Sequence, residues 1–305
     1  MVSGKKSFVF FGSGPVAAES LRLLREKFII EAVVTKTTTM AEMSSIVPDV
    51  KVYVADNKQM LDELFTTTSF RSSVALLIDF GVILSNKVIS YFPNGIINSH
   101  FSLLPELRGA DPISFAILEG KKQTGVSLML LVEAMDEGPL LVVGMFDLDG
   151  TETGPSLTKE LIQLSYRLLL ENFSRYLDGT ITPVTQEVVQ QKFNLTVSYA
   201  RKIKKSDGII DWSKPAVELE REIRAYLDWP KSRTTLKDVD VIITKSHVVD
   251  SENISLQPGE IESLDNTLVI KCGIGSLQID ALKPTGKTEM DAKAFLAGYK
   301  NRITG

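Results

Sequence analysis

Four short apolar runs, each closed by glycine or polar residues, constrain this chain more than any other feature: Ser7–Phe11, Glu31–Thr35, Val74–Ile78 and Gly95–Asn98. The first stops at Gly12-Ser13-Gly14-Pro15, and Pro15 suits the first turn of a helix, where a missing N–H leaves no hydrogen bond unmade. Leu21, Leu24 and Phe28 then recur at helical spacing. Buried apolar strands alternating with amphipathic helices are the pattern of an α/β fold with a mostly parallel, doubly wound sheet. In such sheets the ligand crevice lies beyond the C-terminal ends of the strands. Asn98 and His100 fall just after Gly95-Ile96-Ile97, where chemistry is expected.

Farther along, Val126–Val132 predicts another strand, and Leu157, Leu161, Leu164, Leu168 and Phe173 mark a long amphipathic helix ended by Leu177-Asp178-Gly179-Thr180. The stretch Thr180–Leu195 is polar without clear periodicity and reads as a linker. Val217, Leu219, Ile223 and Tyr226 suggest one more helix. From Thr234 the pattern changes to short β-rich runs, Val239–Thr244, Leu268–Lys271 and Leu277–Leu282, separated by turns such as Gln257-Pro258-Gly259 and Cys272-Gly273. The expected organisation is an α/β domain over 1–180, a linker over 181–205 and a small β-barrel-like domain over 206–305.

Composition narrows the function. No apolar run approaches the roughly 18 residues of a membrane span, and the N-terminal residues carry no export or transit signal, so a cytoplasmic protein is expected. A single cysteine, Cys272, allows no internal disulfide, and two histidines, His100 and His247, make a multi-histidine metal site unexpected. Net charge of −4 is wrong for a general nucleic-acid binder such as a DNA-binding protein. Residues 196–305, with 17 Lys and Arg against 16 Asp and Glu, are the better candidate for facing a polyanion.

The most informative stretch is Asn98-Ser99-His100-Phe101-Ser102-Leu103-Leu104-Pro105, then Arg108-Gly109-Ala110-Asp111-Pro112, with Asp136 in Met135-Asp136-Glu137-Gly138. An amide N–H₂ can face a carbonyl oxygen that gains negative charge during acyl transfer to an amine. An imidazole titrates in the range needed to take a proton from the amine and return one to the leaving nitrogen. A carboxylate can fix the imidazole tautomer, stabilise its cation or order a shuttling water. Positioning of two substrates supplies the remainder. By spacing alone, a histidine after a strand is more often a satisfied polar residue than a catalyst.

The longer pattern carries more. Gly95-x-x-Asn98-x-His100-x-Ser102-Leu103-Leu104-Pro105-x-x-Arg108-Gly109-Ala110-x-Pro112, then Gly125-Val126-Ser127, then Asp136-x-Gly138, closely resembles the formyltransferase family that uses 10-formyltetrahydrofolate. Tyr199–Ile203, Ile210-Asp211-Trp212-Ser213, Ile223-Arg224-Ala225, Asp228-Trp229-Pro230 and Leu282–Lys287 resemble the second domain of the members that act on methionyl-tRNA. The resemblance implies a Rossmann-like formyltransferase domain followed by a small C-terminal β-barrel (OB-like), tRNA-binding domain. It implies Asn98, His100 and Asp136 as a catalytic triad and Ser102, Leu103, Leu104 and Pro105 as the tetrahydrofolate-binding signature. Phe80, Gly81, Val82, Ile83 and Leu84 would line the pterin pocket, largely through backbone groups, and Val132–Met135 its other wall. The implied donor is 10-formyltetrahydrofolate, with no metal. The implied acceptor is initiator methionyl-tRNA, serving translation initiation, with no DNA or membrane partner; a monomer is expected.

Three places depart from the family pattern. Asp79-Phe80-Gly81 stands where Ala-Tyr-Gly is usual, and Asp136-Glu137-Gly138-Pro139 where Asp-Thr-Gly-Asp is usual. Thr35-Lys36-Thr37-Thr38-Thr39-Met40-Ala41-Glu42-Met43 stands where the methionyl-tRNA enzymes usually carry a long basic loop, and with one Lys and one Glu it cannot make the same phosphate contacts. The alternatives are therefore an amino-sugar N-formyltransferase acting on a nucleotide-linked sugar, or a folate- or RNA-binding protein without catalysis. Gly12-x-Gly14-x-x-Ala17 loosely fits a dinucleotide fingerprint, but the second strand ends in Thr35-Lys36 without the expected acid, so a tight strand-to-helix turn is the better reading. Arg201–Lys205 fits phosphate contacts and a solvated face equally well. Arg108 fits an anionic substrate or an ion pair with Asp111 equally. Trp212 and Trp229 are expected to pack rather than stack on bases, His247 to be structural, and Cys272 to be inert.

Overall fold

The computed structural model describes residues 6–250, 256–264 and 267–303. The chain divides into two compact units: Met1–Pro112 with Gln123–Asp147 and Thr158–Arg201, and Ile113–Lys122 with Leu148–Leu157 and Lys202–Gly305.

The first unit is built on a seven-stranded sheet of β1 (Ser7–Phe11), β2 (Ile29–Thr35), β3 (Lys51–Val54), β4 (Ala75–Leu77), β5 (Ile96–His100), β7 (Gln123–Leu130) and β8 (Leu140–Asp147), in the order β3-β2-β1-β4-β5-β7-β8. The five strands from β3 to β5 run parallel, whereas β7 and β8 are antiparallel. A two-residue strand β6 (Arg108–Gly109) pairs off the main sheet with β9 (Tyr199–Ala200). Helices α1 (Pro15–Leu24), α2 (Met40–Ile46), α3 (Lys58–Thr67), α4 (Asn86–Ile89), most of α6 (Gly154–Leu177) and α7 (Gln186–Phe193) belong to this unit, whereas α5 (Pro112–Leu118) falls almost wholly in the second.

The unbroken apolar run of β1 follows from cover on both faces. Phe8 meets Phe28 and Phe173 on one side, and Phe11 meets Phe65, Phe80 and Phe92 on the other. Each such buried ring contributes about 1.5–3 kcal/mol. The strand order reverses between β1 and β4, which places the ligand crevice beyond their C-terminal ends.

The stretch read as a linker is structured. Val184 bridges Leu140, α7 follows, and β9 closes on β6. Only Gln186 and Val189 of α7 are buried, so two inward positions left no periodicity to detect. The segment in place of a basic loop is also ordered. Thr37–Thr39 forms a 3₁₀ turn, Thr37 donates its N–H (2.9 Å) and its Oγ1 hydroxyl (2.5 Å) to Asp56, and α2 begins at Met40.

The second unit carries a six-stranded antiparallel sheet. Its order is β10 (Ser232–Leu236), β11 (Val239–Val249), β14 (Ser276–Pro284), β13 (Thr267–Lys271) and β12 (Ile261–Leu264), with β15 (Met290–Asp291) against β14. Register shifts between Ile243 and Ser246 bend β11 against β14, giving the barrel-like curl that the short β-rich runs predict. Leu219 and Ile223 of α8 (Ala216–Ala225) and Phe295 and Leu296 of α9 (Ala292–Ile303) share a core with Ile243, Ile279 and Leu282. Cys272 is buried there, and burial pushes its thiol up to about 11, so it stays protonated and unreactive. His247 pairs with Asp280 at 3.0 Å on the sheet surface. Trp212 packs against the core and donates to Thr234, whereas Trp229, expected to pack, is 55% exposed. Among the described residues no helix is long and apolar enough to cross a membrane.

Candidate active site

Strand β5 continues through His100 because β7 pairs with it residue by residue, Asn98 opposite Met129 and His100 opposite Ser127. Alternation along a strand puts Asn98 and His100 on one face and Ser99 on the other, where its hydroxyl meets Ser165 of α6 at 2.7 Å. The turn after β5 is held from within. Ser102 donates to the Glu106 carbonyl at 2.5 Å, Ser127 donates to the Ser102 carbonyl at 2.8 Å, and the Leu104 N–H donates back to Ser127 at 3.0 Å. Ser102, Leu103, Leu104 and Pro105 are all buried.

Asp136 reaches the same face from the loop between β7 and β8. Its Oδ1 lies 3.5 Å from Asn98 Nδ2 and its Oδ2 lies 3.8 Å from His100 Nδ1, while Oδ2 accepts the Gly109 N–H at 2.7 Å. All three residues are nearly buried, at 6–9% exposure. His100 Nε2 sits 3.0 Å from the Leu107 carbonyl. A carbonyl can only accept, so that ring nitrogen carries the hydrogen and Nδ1 is left facing Asp136. Leu107 and Asp136 both adopt left-handed backbone, with φ of 55° and 54°, a conformation that costs a non-glycine residue about 1–2 kcal/mol. Gly109 has φ 115°, and a Cβ there would lie 2.5 Å from the Ala200 carbonyl, so pairing of β6 with β9 requires glycine.

Asn86, two residues past Phe80–Leu84, donates from Nδ2 to Glu133 at 2.8 Å and so ties the end of one expected wall to the other, Val132–Met135. Phe80 and Leu84 point into the core, Val82 is half-buried and Gly81 exposed. Ile83 and Met135 stand out at 71% and 65% exposure. Two large apolar side chains left open on neighbouring loops beside a polar cluster form a surface suited to a flat, partly apolar ligand.

Asp79, at the end of β4, closes the anion-attracting end of α1. Its carboxyl accepts the Val16 and Ala17 N–H groups and lies against Gly14, where a Cβ would come within 1.8 Å of it. Its carbonyl takes the Ser13 and Gly14 N–H groups. The residue reaches the surface, but burial of the carboxyl itself pushes it up to about 6. The two N–H donors oppose that shift; neighbouring Asp111 adds to it, and Lys36 opposes it. With an internal carboxylate in the place of a phosphate, the glycine turn is a strand-to-helix connection.

Arg108 is turned inward. Its Nη1 donates to Glu137 at 3.0 Å, and its Nε and Nη2 donate to Gln186 Oε1 at 3.2 and 2.7 Å. Sequence reasoning passed over the Leu107 carbonyl, the Gly109 N–H and Gln186. Backbone groups have no sequence signature, and a single glutamine in a polar stretch gives none.

Residues 9–172 match the formyl transferase family and residues 202–300 the formyl transferase C-terminal domain. The methionyl-tRNA formyltransferase of Thermodesulfovibrio yellowstonii is 30% identical over 306 residues, covering 96% of each chain. That of Nitratidesulfovibrio vulgaris is 33% identical over 242 residues, covering 77% of this chain and 72% of its own. Among solved structures, the sugar 3N-formyl transferase WlaRD, crystallised with dTDP and 5-N-formyl-tetrahydrofolate, superposes with TM-score 0.66 at 18% identity, covering 94% of this chain and all of its own. HypX from Aquifex aeolicus in complex with tetrahydrofolic acid gives 0.64 at 15% identity, covering 99% of this chain and 48% of its own. The chain belongs to the formyl transferase family. Its chemistry is formyl-group transfer from formyltetrahydrofolate.

Proposed function

We propose that the chain transfers the formyl group of 10-formyltetrahydrofolate to the amino group of initiator methionyl-tRNA, in the cytoplasm, for translation initiation. The observation that carries the acceptor is the relative matching 96% of both chains, second domain included, under that name. Asn98, His100 and Asp136 perform the chemistry. The acceptor nitrogen attacks the formyl carbon, and the oxygen gains negative charge in the tetrahedral intermediate, where Asn98 Nδ2 donates to it. His100 Nδ1 takes the proton released by the amine, and Asp136, 3.8 Å away, stabilises the imidazolium so formed. The bond from the formyl carbon to N10 then breaks, and N10 takes back the proton. Ile83 and Met135 cover the pterin end of the donor. The first unit, ending near residue 201, is the catalytic domain, and the second contributes tRNA contacts.

One observation favours another acceptor. In place of a basic loop the chain has an ordered turn and α2, whose Glu42 pairs with Arg22 at 3.1 Å. An amino group on a nucleotide-linked sugar needs fewer phosphate contacts than a tRNA acceptor stem. Formyl transfer from 10-formyltetrahydrofolate is measured with methionyl-tRNA and with a dTDP-linked amino sugar in parallel. Transfer to the tRNA is expected; transfer to the sugar alone overturns the reading of the acceptor.

A further inference from the structure

Asn98 and His100 are fixed by the ladder of β5, but Asp136 lies on a loop and its backbone is left-handed. Such a residue holds its place only if its surroundings over-determine it. Three contacts converge there. The Gly109 N–H donates to Oδ2, and the two hydrogens of one amide, Gln186 Nε2, donate to the carbonyls of Asp136 at 2.7 Å and Gly138 at 3.0 Å. The oxygen of that amide accepts twice from Arg108. Gln186 is 3% exposed, and both hydrogens of its side-chain amide are used. Gly138 is pinned from the other side as well, since a Cβ there would lie 1.7 Å from the Leu130 carbonyl.

We infer that Gln186 is the positioning residue for Asp136, clamping the Asp136–Gly138 backbone from α7 so that the carboxylate stays within reach of His100 and Asn98. The inference rests on the catalytic role proposed for Asp136. It separates two functions of one side chain. The amide oxygen satisfies the buried Arg108 guanidinium, a task any acceptor could do. The amide N–H₂ holds the loop, a task only a donor can do. A buried glutamine supplies an acceptor and two donors at once without adding a charge.

Gln186→Glu divides the two. A carboxylate keeps the acceptor for Arg108, and therefore the fold, but it sets an oxygen against the Asp136 and Gly138 carbonyls in place of both donors. Two measurements follow. In hydrogen–deuterium exchange of the free protein, amides of the segment 134–140 are expected to exchange about tenfold faster or more in the variant, with the β1–β4 strands unchanged. With 10-formyltetrahydrofolate and methionyl-tRNA, kcat is expected to fall on the order of 10–100-fold while KM for both substrates stays within about threefold, because misplacement near the chemistry acts on the transition state. In an Asp136→Asn background the same substitution is expected to change kcat less than about twofold.

Unchanged exchange at 134–140 overturns the clamp whatever the acceptor. Faster exchange with unaltered kcat overturns its link to catalysis. If Asp136→Asn itself keeps the wild-type rate, the proposed role of Asp136 fails instead, while the exchange result still decides the clamp. Should Gln186→Glu fail to fold, Gln186→Met, of nearly equal volume, removes the donors and the Arg108 acceptor together, and faster exchange at 134–140 with a fall in kcat is still expected. Failure of both to fold assigns Gln186 to stability and overturns the inference.

Discussion

The two sides of the crevice are built differently. On the strand side, Asn98, His100 and the Ser102–Pro105 turn are buried and tied into the β5–β7 ladder. On the loop side, Ile83 and Met135 stand 71% and 65% exposed. Rigid, desolvated groups suit bond making, since a donor preset at the position of a developing charge need not reorganise. Open apolar groups suit affinity, since a ligand that covers them gains their burial. Asp136 crosses the division: it belongs to the loop side by sequence but is buried like the strand side, because Gln186 and Gly109 hold it.

If this division is correct, strand-side substitutions act on kcat and loop-side ones on KM. His100→Ala is expected to lower kcat about 10²–10⁴-fold, and Asn98→Ala about 10²–10³-fold, each with thermal unfolding close to wild type; steady-state kinetics beside a melting curve checks both. An Asn98→Ala effect confined to KM would break the comparison at its firmest point. Ile83→Ser is expected to raise KM for 10-formyltetrahydrofolate on the order of tenfold at constant kcat, as loss of about 1–2 kcal/mol of covered apolar surface predicts. A fall in kcat as large as that of Asn98→Ala would show that the loop side takes part in chemistry.

The smallest expected effect sharpens the comparison at the foot of the loop side. The Asp79 carboxyl is raised from 3.8 to about 6, so the stability it contributes is fully present below about pH 3.8 and is lost as pH rises through about 6. Asp79→Asn is therefore expected to flatten that part of the stability curve and to gain about 1 kcal/mol or less at pH 8, the gain being limited by solvent near the group. Denaturant unfolding at pH 4 and pH 8 measures it. A variant that is less stable at both values would show that the bonds to Val16 and Ala17 outweigh the buried charge.

Much of this architecture is legible in the sequence for a physical reason. β1 is apolar on both faces because Phe8 and Phe11 have separate aromatic neighbours, and such a run reads as a parallel-sheet strand without further context. Asn98 and His100 could be placed on one face because a strand repeats every two residues. Asp136 could be picked out only through the longer family pattern, since loop geometry has no period. Gln186 was invisible. Its helix buries two residues, and its partners are a guanidinium and two carbonyls far away in sequence. Ile83 and Leu84 were grouped as one lining segment, yet the structure turns Leu84 inward and Ile83 outward, a distinction that follows from the packing of Leu84 with the β4 core.

Synthesis runs from the N-terminus, and Gln186 is made 50 residues after Asp136. A nascent chain that has reached residue 180 already contains every group proposed to touch the reacting atoms, and it contains all seven strands of the sheet that carries them. It lacks the glutamine beneath the Asp136 loop and the strand that fixes Gly109. On the positioning role inferred for Gln186, the Asp136 loop is therefore set only by residues that themselves perform no chemistry and that are made after the whole sheet.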